Sequence, residues 1–112
     1  MATLSSHLLN ALNGTHASGV KVIINQINSS GNKKLFFKTE TDDGGRLLKE
    51  FELSNEDCSC EYEMICKIAE YFSEKKIVSE VVIKFKMEDP KKNITYLLLY
   101  LQMVIQFGGL NN

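Results

Sequence analysis

Six side chains carry most of the chemical reactivity in this sequence: His7 in "LSSHLLN", His16 in "NGTHASG", Arg46 in "DDGGRLL", and the thiols of Cys58, Cys60 and Cys66. An imidazole ordinarily titrates near neutrality and suits a proton carrier, and a guanidinium presents a planar fork of donors suited to an anionic ring. Each also has a plainer reading. A lone histidine is commonly a hydrogen-bonded surface group, and Arg46 at a strand end is commonly a solvated charge. His16 falls in a turn-like stretch, far enough along the chain from His7 to be read as a loop residue. The cysteine count is odd, "CSC" is too tight for the usual zinc spacing, and neither histidine sits in a metal-type pair. The thiols therefore read as reduced and structural, with no metal and no cofactor called for.

The elements that must position these groups are mostly strands. In "SEVVIKFKME", Val81, Ile83, Phe85 and Met87 fall on one face, and Glu80, Lys84 and Lys86 on the other, the period of a half-buried strand. "EYEMICKI" sets Tyr62, Met64, Cys66 and Ile68 against Glu61, Glu63 and Lys67, while "VKVIINQI" and "KLFFKTE" are β-rich runs of strand length. "NALNGTHASG", "NSSGNKK", "TDDGGR" and "SNEDCSC" have the Gly, Asn and Asp content of turns. Only "AEYFSEKK" has a helical composition, for about two turns. Pro90 ends the strand before it, since it cannot donate to a ladder. The apolar run from Ile94 to Phe107 carries Gln102 and Gln106 and is shorter than the roughly 20 apolar residues a spanning helix needs. It reads as one or two buried strands, dividing near Gln102 and Met103 if there are two. The sum is seven or eight short strands and one short helix, an all-β sandwich or barrel.

Composition narrows the class further. A chain of 112 residues, 44% of them hydrophobic, makes one domain over residues 1–112 with a single core. Its 13 basic and 14 acidic residues are interspersed, leaving no basic stripe for nucleic acid. "MATLSSHLLNALNG" has neither a basic n-region nor a long apolar stretch, so no secretory signal is read and the cytoplasm is the expected compartment. The sequons at Asn13, Asn28 and Asn93 then carry no weight.

Several segments in order resemble the transthyretin-like family, whose enzymatic members are the 5-hydroxyisourate hydrolases of urate breakdown. "LSSHLLNALNGTHASGVKV" is similar to that family's opening strand and its "G.PA.GV.V" turn, and "TETDDGGRL" to its "T..DGR". The resemblance continues through Tyr71 and Phe72 and "VVIKFKMEDPKKNITYLLL", and so covers nearly the whole chain. It implies a two-sheet sandwich of about eight strands with one short helix. It further implies a homotetramer with sites in a channel between dimers, where the last strands pair across subunits.

Hydrolysis of 5-hydroxyisourate adds water across an amide-like C–N bond of an anionic ring. It needs a proton acceptor, a cation or donor set for the oxyanion, and a proton source for the departing nitrogen. The family uses a first-strand histidine, matched by His7, and an arginine after the Asp-Gly turn, matched by Arg46. Its second histidine is not retained: aligned through Leu97, Leu98 and Leu99, that position is Ile94. The same alignment sets Phe107, Gly108, Gly109 and Leu110 against the family's C-terminal "YRGS", keeping the glycine at 109 and leaving Phe107 as a wall of the substrate site without its hydroxyl.

Three readings follow. One is a divergent hydroxyisourate hydrolase with a partly eroded site and weak or absent activity, using His7 and Arg46. Another is a non-catalytic tetramer on the same frame, with a hydrophobic small molecule or another chain held in a channel lined by Ile94, Tyr96, Leu98 and Phe107. The third is an unrelated β-sandwich interaction domain. The apolar C-terminal run exceeds what one small sandwich can bury, which favours a tetramer. Sedimentation at micromolar concentration is expected to give a species of four chains; a stable monomer would contradict the expectation.

Overall fold

The computed structural model describes residues 2–10, 15–68, 79–88 and 94–103. Among the described residues eight strands run in chain order: β1 (Ala2–Asn10), β2 (Thr15–His16), β3 (Lys21–Ile27), β4 (Lys33–Glu40), β5 (Arg46–Phe51), β6 (Glu61–Cys66), β7 (Val81–Lys86) and β8 (Ile94–Met103). A single 3-10 turn at Asp57–Ser59 joins β5 to β6. The expected helix over residues 69–76 lies outside the described residues.

The strands form two sheets facing each other across one core, as the all-β sandwich reading requires. In the first, β2, β1 and β5 are neighbours and β8 lies parallel against β1; in the second the order is β4-β3-β6-β7, antiparallel throughout. Alternation along β1 determines what the first sheet offers. Ala2, Leu4, Ser6 and Leu8 are buried, and the intervening Thr3, Ser5, His7 and Leu9 are half-buried on the opposite face. His7 thus points away from the core by strand parity alone.

The second sheet supplies Val22 and Ile24 from β3 and Tyr62, Met64 and Cys66 from β6, all fully buried against Leu4 and Leu8. β7 follows its sequence pattern, with Val81, Ile83 and Phe85 partly buried, Val82, Lys84 and Lys86 exposed, and Met87 enclosed just beyond the strand. At the end of the sandwich opposite His7, Phe36 meets Phe51 edge-on at 5.0 Å and Tyr62 at 5.3 Å. Gln26, 5% exposed, enters this core with its amide satisfied: Nε2 donates to Asp57 Oδ1 at 2.9 Å and to the Tyr62 hydroxyl at 2.8 Å. The Tyr62 hydroxyl in turn donates to the Asp57 carbonyl at 2.9 Å.

Glu63 departs from its expected place on a solvated face. It has the outward parity of β6 but is only 4% exposed, because Asn25 Nδ2 donates to Oε2 at 2.9 Å and Lys33 Nζ approaches Oε1 at 3.3 Å. The Asn25 bond, with the Lys33 charge, holds its carboxyl below the usual range against the opposing effect of burial.

Burial pushes the Tyr62 hydroxyl up to about 12 and the Cys66 thiol up to about 11. An unfolded tyrosine ionises near pH 10, so between pH 10 and 12 the unfolded chain holds fewer protons. Tyr62's contribution is therefore complete below pH 10 and is lost as pH rises through 12. Tyr62→Phe is expected to cost about 1–3 kcal/mol at pH 7 through its lost hydrogen bonds and to narrow the gap between stabilities at pH 7 and pH 11. Urea denaturation at the two pH values checks both parts; an unchanged gap would show that Tyr62 does not set the alkaline limit.

Candidate functional site: a histidine pair and an arginine on the outer face of β1

Two turns meet β1 beside His7. The first follows β2, whose two residues pair antiparallel with the end of β1, Leu9 with His16 and Asn10 with Thr15. Ala17 N then donates to the Leu8 carbonyl at 2.9 Å. The second turn, at residues 41–46, brings the Gly45 carbonyl to the Leu8 N–H at 2.7 Å and starts β5 with Arg46 as the cross-strand partner of His7. Buried Thr41 ties the turns together: its Oγ1 accepts from Val20 N at 2.9 Å and donates to the Ala17 carbonyl at 2.6 Å. Its peptide pairs with Gly19 and Val20.

Asp42 shapes the second turn. Its Oδ1 accepts from the Gly44 and Arg46 amides, each at 2.9 Å, and its carbonyl accepts from Gly45 N at 2.9 Å. The Arg46 N–H is the main cause holding this exposed carboxyl below its ordinary value, helped by the Gly44 N–H and the charges of Arg46 and His7 and opposed by partial desolvation. Gly45 has φ +72°, and a Cβ there would lie 2.4 Å from the Leu8 carbonyl oxygen, so only glycine lets this turn close on β1.

The functional groups then converge. His7 Nε2 and His16 Nδ1 are 2.9 Å apart, in a hydrogen bond whose donor is set by the tautomer. The ring centroids are 4.9 Å apart and the planes inclined by 27°. Arg46, the chain's one arginine, shares the face, and directly opposed residues in an antiparallel pair have Cβ atoms roughly 5 Å apart. Its guanidinium has no hydrogen-bonded partner among the described residues. Two hydrogen-bonded imidazoles beside a guanidinium are groups able to bind an anion and to accept or donate a proton. No group of three His, Cys, Asp or Glu able to hold a metal ion occurs among the described residues.

The sequence-derived site is brought together only in part. His7 and Arg46 are neighbours. Ile94 is not: it pairs with Ala2, five positions along β1 from His7 and so about 16 Å away. The β8 residue in register with His7 is Tyr100, after a shift in pairing between Ser6 and His7. Phe107, Gly108, Gly109 and Leu110 lie outside the described residues. The reading of His16 as a remote loop residue is corrected, because a two-residue strand folds it back onto β1. The signal was present in the turn motif: in "G.PA.GV.V" the proline position is held here by His16. Among the described residues, cavities of about 430 Å³ beside Lys21, Lys38 and Lys67 and about 300 Å³ beside Gln26, Lys34 and Cys60 lie away from His7.

The two-sheet β-sandwich is the architecture that the transthyretin-like resemblance implies. The model of the HIUase/Transthyretin family matches residues 4–102, and the chain belongs to that family. Among solved structures it is similar to Klebsiella pneumoniae 5-hydroxyisourate hydrolase, at TM-score 0.61 and 18% identity over 89% of this chain and 90% of that one. It is also similar to transthyretin from Sparus aurata, at 0.65 and 18% over 87% and 89%. A third likeness is to an (S)-allantoin synthase, at 0.67 and 18%; it covers 91% of this chain, which spans only 41% of that protein. No curated protein sequence matches. No described helix is long and apolar enough to cross a membrane.

Gly45→Ala is expected to destabilise the fold by more than the roughly 1–3 kcal/mol that strained backbone alone costs, because it adds a clash with Leu8. Gly31→Ala, at φ +84° with nothing within 4 Å of its added Cβ, should show the strain alone. Thermal denaturation compares them; equal losses would mean that the approach of Gly45 to Leu8 is not a constraint.

Proposed function

We propose that this protein opens the ring of 5-hydroxyisourate, or of a closely similar anionic cyclic amide, by hydrolysis. The observation that carries the reading is the pairing of His7 with Arg46 across β1 and β5, in a chain of the HIUase/Transthyretin family. His7 takes part in the proton-transfer machinery, and Arg46 binds the anionic ring and steadies the oxyanion formed when water adds. The proposal includes a homotetramer in which a second subunit walls the site, with the cytoplasm as its setting and no cofactor.

The lost family residues set the expected rate. Without the "YRGS" side chains, anion binding rests on Arg46, and turnover should be slower than in a hydrolase that retains them by roughly 10²–10³, the effect of one electrostatic stabiliser. The same losses favour a second reading, a non-catalytic tetramer that binds a hydrophobic small molecule or a protein in the channel.

The ultraviolet decay of freshly generated 5-hydroxyisourate decides between them. The protein should accelerate decay; His7→Ala should lower the rate by about 10²–10⁴ and Arg46→Ala by about 10²–10³. Arg46→Lys should recover only part, since it keeps charge but loses the fork. No acceleration, together with saturable binding of an apolar fluorophore by the tetramer, would establish the second reading. Acceleration indifferent to both alanine variants would place the chemistry elsewhere.

A further inference from the structure

We infer that His16 supplies the second imidazole of this site, exchanging a proton with the reacting molecule while His7 holds its inner nitrogen. The inference rests on the hydrolase reading and assigns the imidazole that meets the reacting molecule, with His7 as its hydrogen-bonded partner.

The chain has an isoleucine, Ile94, where the family alignment expects the second histidine, and β8 holds that residue at the Ala2 end of β1. In the turn that touches His7, the family's proline position has become His16. An imidazole is thus missing from one strand and present on another, within hydrogen-bond distance of the retained histidine at 2.9 Å. The centroid spacing of 4.9 Å is roughly that N···N distance plus two ring radii, and the planes differ by only 27°, so the hydrogen bond runs close to both ring planes. This is edge-to-edge contact in a geometry for proton sharing.

Each ring uses one nitrogen in the contact. His16 is exposed, and its Nε2 has no partner among the described residues. With Nδ1–H donating to His7 Nε2, His16 Nε2 carries a lone pair directed outward. When it takes a proton, the positive charge is shared through the hydrogen bond with His7. The contact requires that one facing nitrogen lack a proton, so full protonation of both rings breaks it. The other charged groups facing the pair among the described residues are Arg46 on β5 and the Asp42 carboxylate in the adjoining turn.

The step balances without a further reagent. Water's oxygen bonds to the ring carbonyl carbon as its proton passes to His16 Nε2, and the carbonyl electron pair moves to oxygen beside Arg46. When that oxyanion collapses, the C–N bond breaks and its electrons stay on nitrogen, which takes the proton back from His16. One water is consumed and a carboxylic acid is released.

The test uses the full chain, freshly generated 5-hydroxyisourate, and the variants His16→Ala and His16→Asn. Asparagine places an amide nitrogen near the position of Nδ1, so it can keep the bond to His7 without an ionisable Nε2. Both variants should lower kcat by about 10²-fold or more with little change in KM, and both should change the acid limb of the pH–rate profile. Added imidazole should restore part of the His16→Ala activity. If the wild type is active and both variants keep its rate and pH profile, the role of His16 is overturned and the hydrolase reading stands. If only His16→Ala is impaired, His16 positions His7 and transfers no proton, which also overturns the inference. If the wild type does not accelerate decay, the hydrolase reading fails and takes this assignment with it.

Discussion

The backbone of Leu8 is the point on which the site depends. Its N–H donates to Gly45 at 2.7 Å and its carbonyl accepts from Ala17 at 2.9 Å, so one peptide unit secures both turns to β1. Its side chain is fully buried in the core, which fixes the register of the strand from the other side. His7 immediately precedes it and must project from the opposite face. Thr41 then couples the turns to one another through a buried hydroxyl with both a donor and an acceptor partner. Three groups separated by up to 39 residues are held at one place by the hydrogen-bond economy of two short loops.

This arrangement separates stability from chemistry. The inner face of β1 contributes Leu4 and Leu8 to a core shared with Val22, Ile24, Tyr62 and Met64, and none of these side chains belongs to the site. The outer face carries His7 and Arg46 with no buried charge to desolvate. Among the polar groups that enter the interior, Gln26 and Thr41 are hydrogen-bonded there, as burial in an apolar medium requires. Substitutions on the outer face can therefore change its side chains without touching the core, and His16, at the proline position of the turn motif, is one such residue.

Much of the sandwich could be read from the sequence because strand parity is local. β7 buries the residues its alternation indicates, and Tyr62, Met64 and Cys66 on β6 do the same. Glu63 escaped that logic because its cover comes from Asn25 and Lys33 on two other strands, which one strand's period cannot show. His7 and Arg46 were accessible through motifs flanking a glycine turn. The placement of Ile94 relied on three consecutive leucines, and such a run constrains a parallel register weakly, since a slip of a few residues still sets leucine beside β1. His16 was missed for a related reason: a two-residue strand has no period, and its partnership with His7 arises only when Ala17 and Gly45 close on Leu8.

The role given to both histidines requires that those closures bring the two imidazoles together. The chain contains only two histidines, so their ring protons are assignable in the nuclear magnetic resonance spectrum of the folded protein without ambiguity of number. A nuclear Overhauser measurement just above neutral pH is predicted to show cross-peaks between the ring protons of His7 and His16, lost on global unfolding. Two resolved imidazoles in a folded protein with no cross-peak between them would contradict the account.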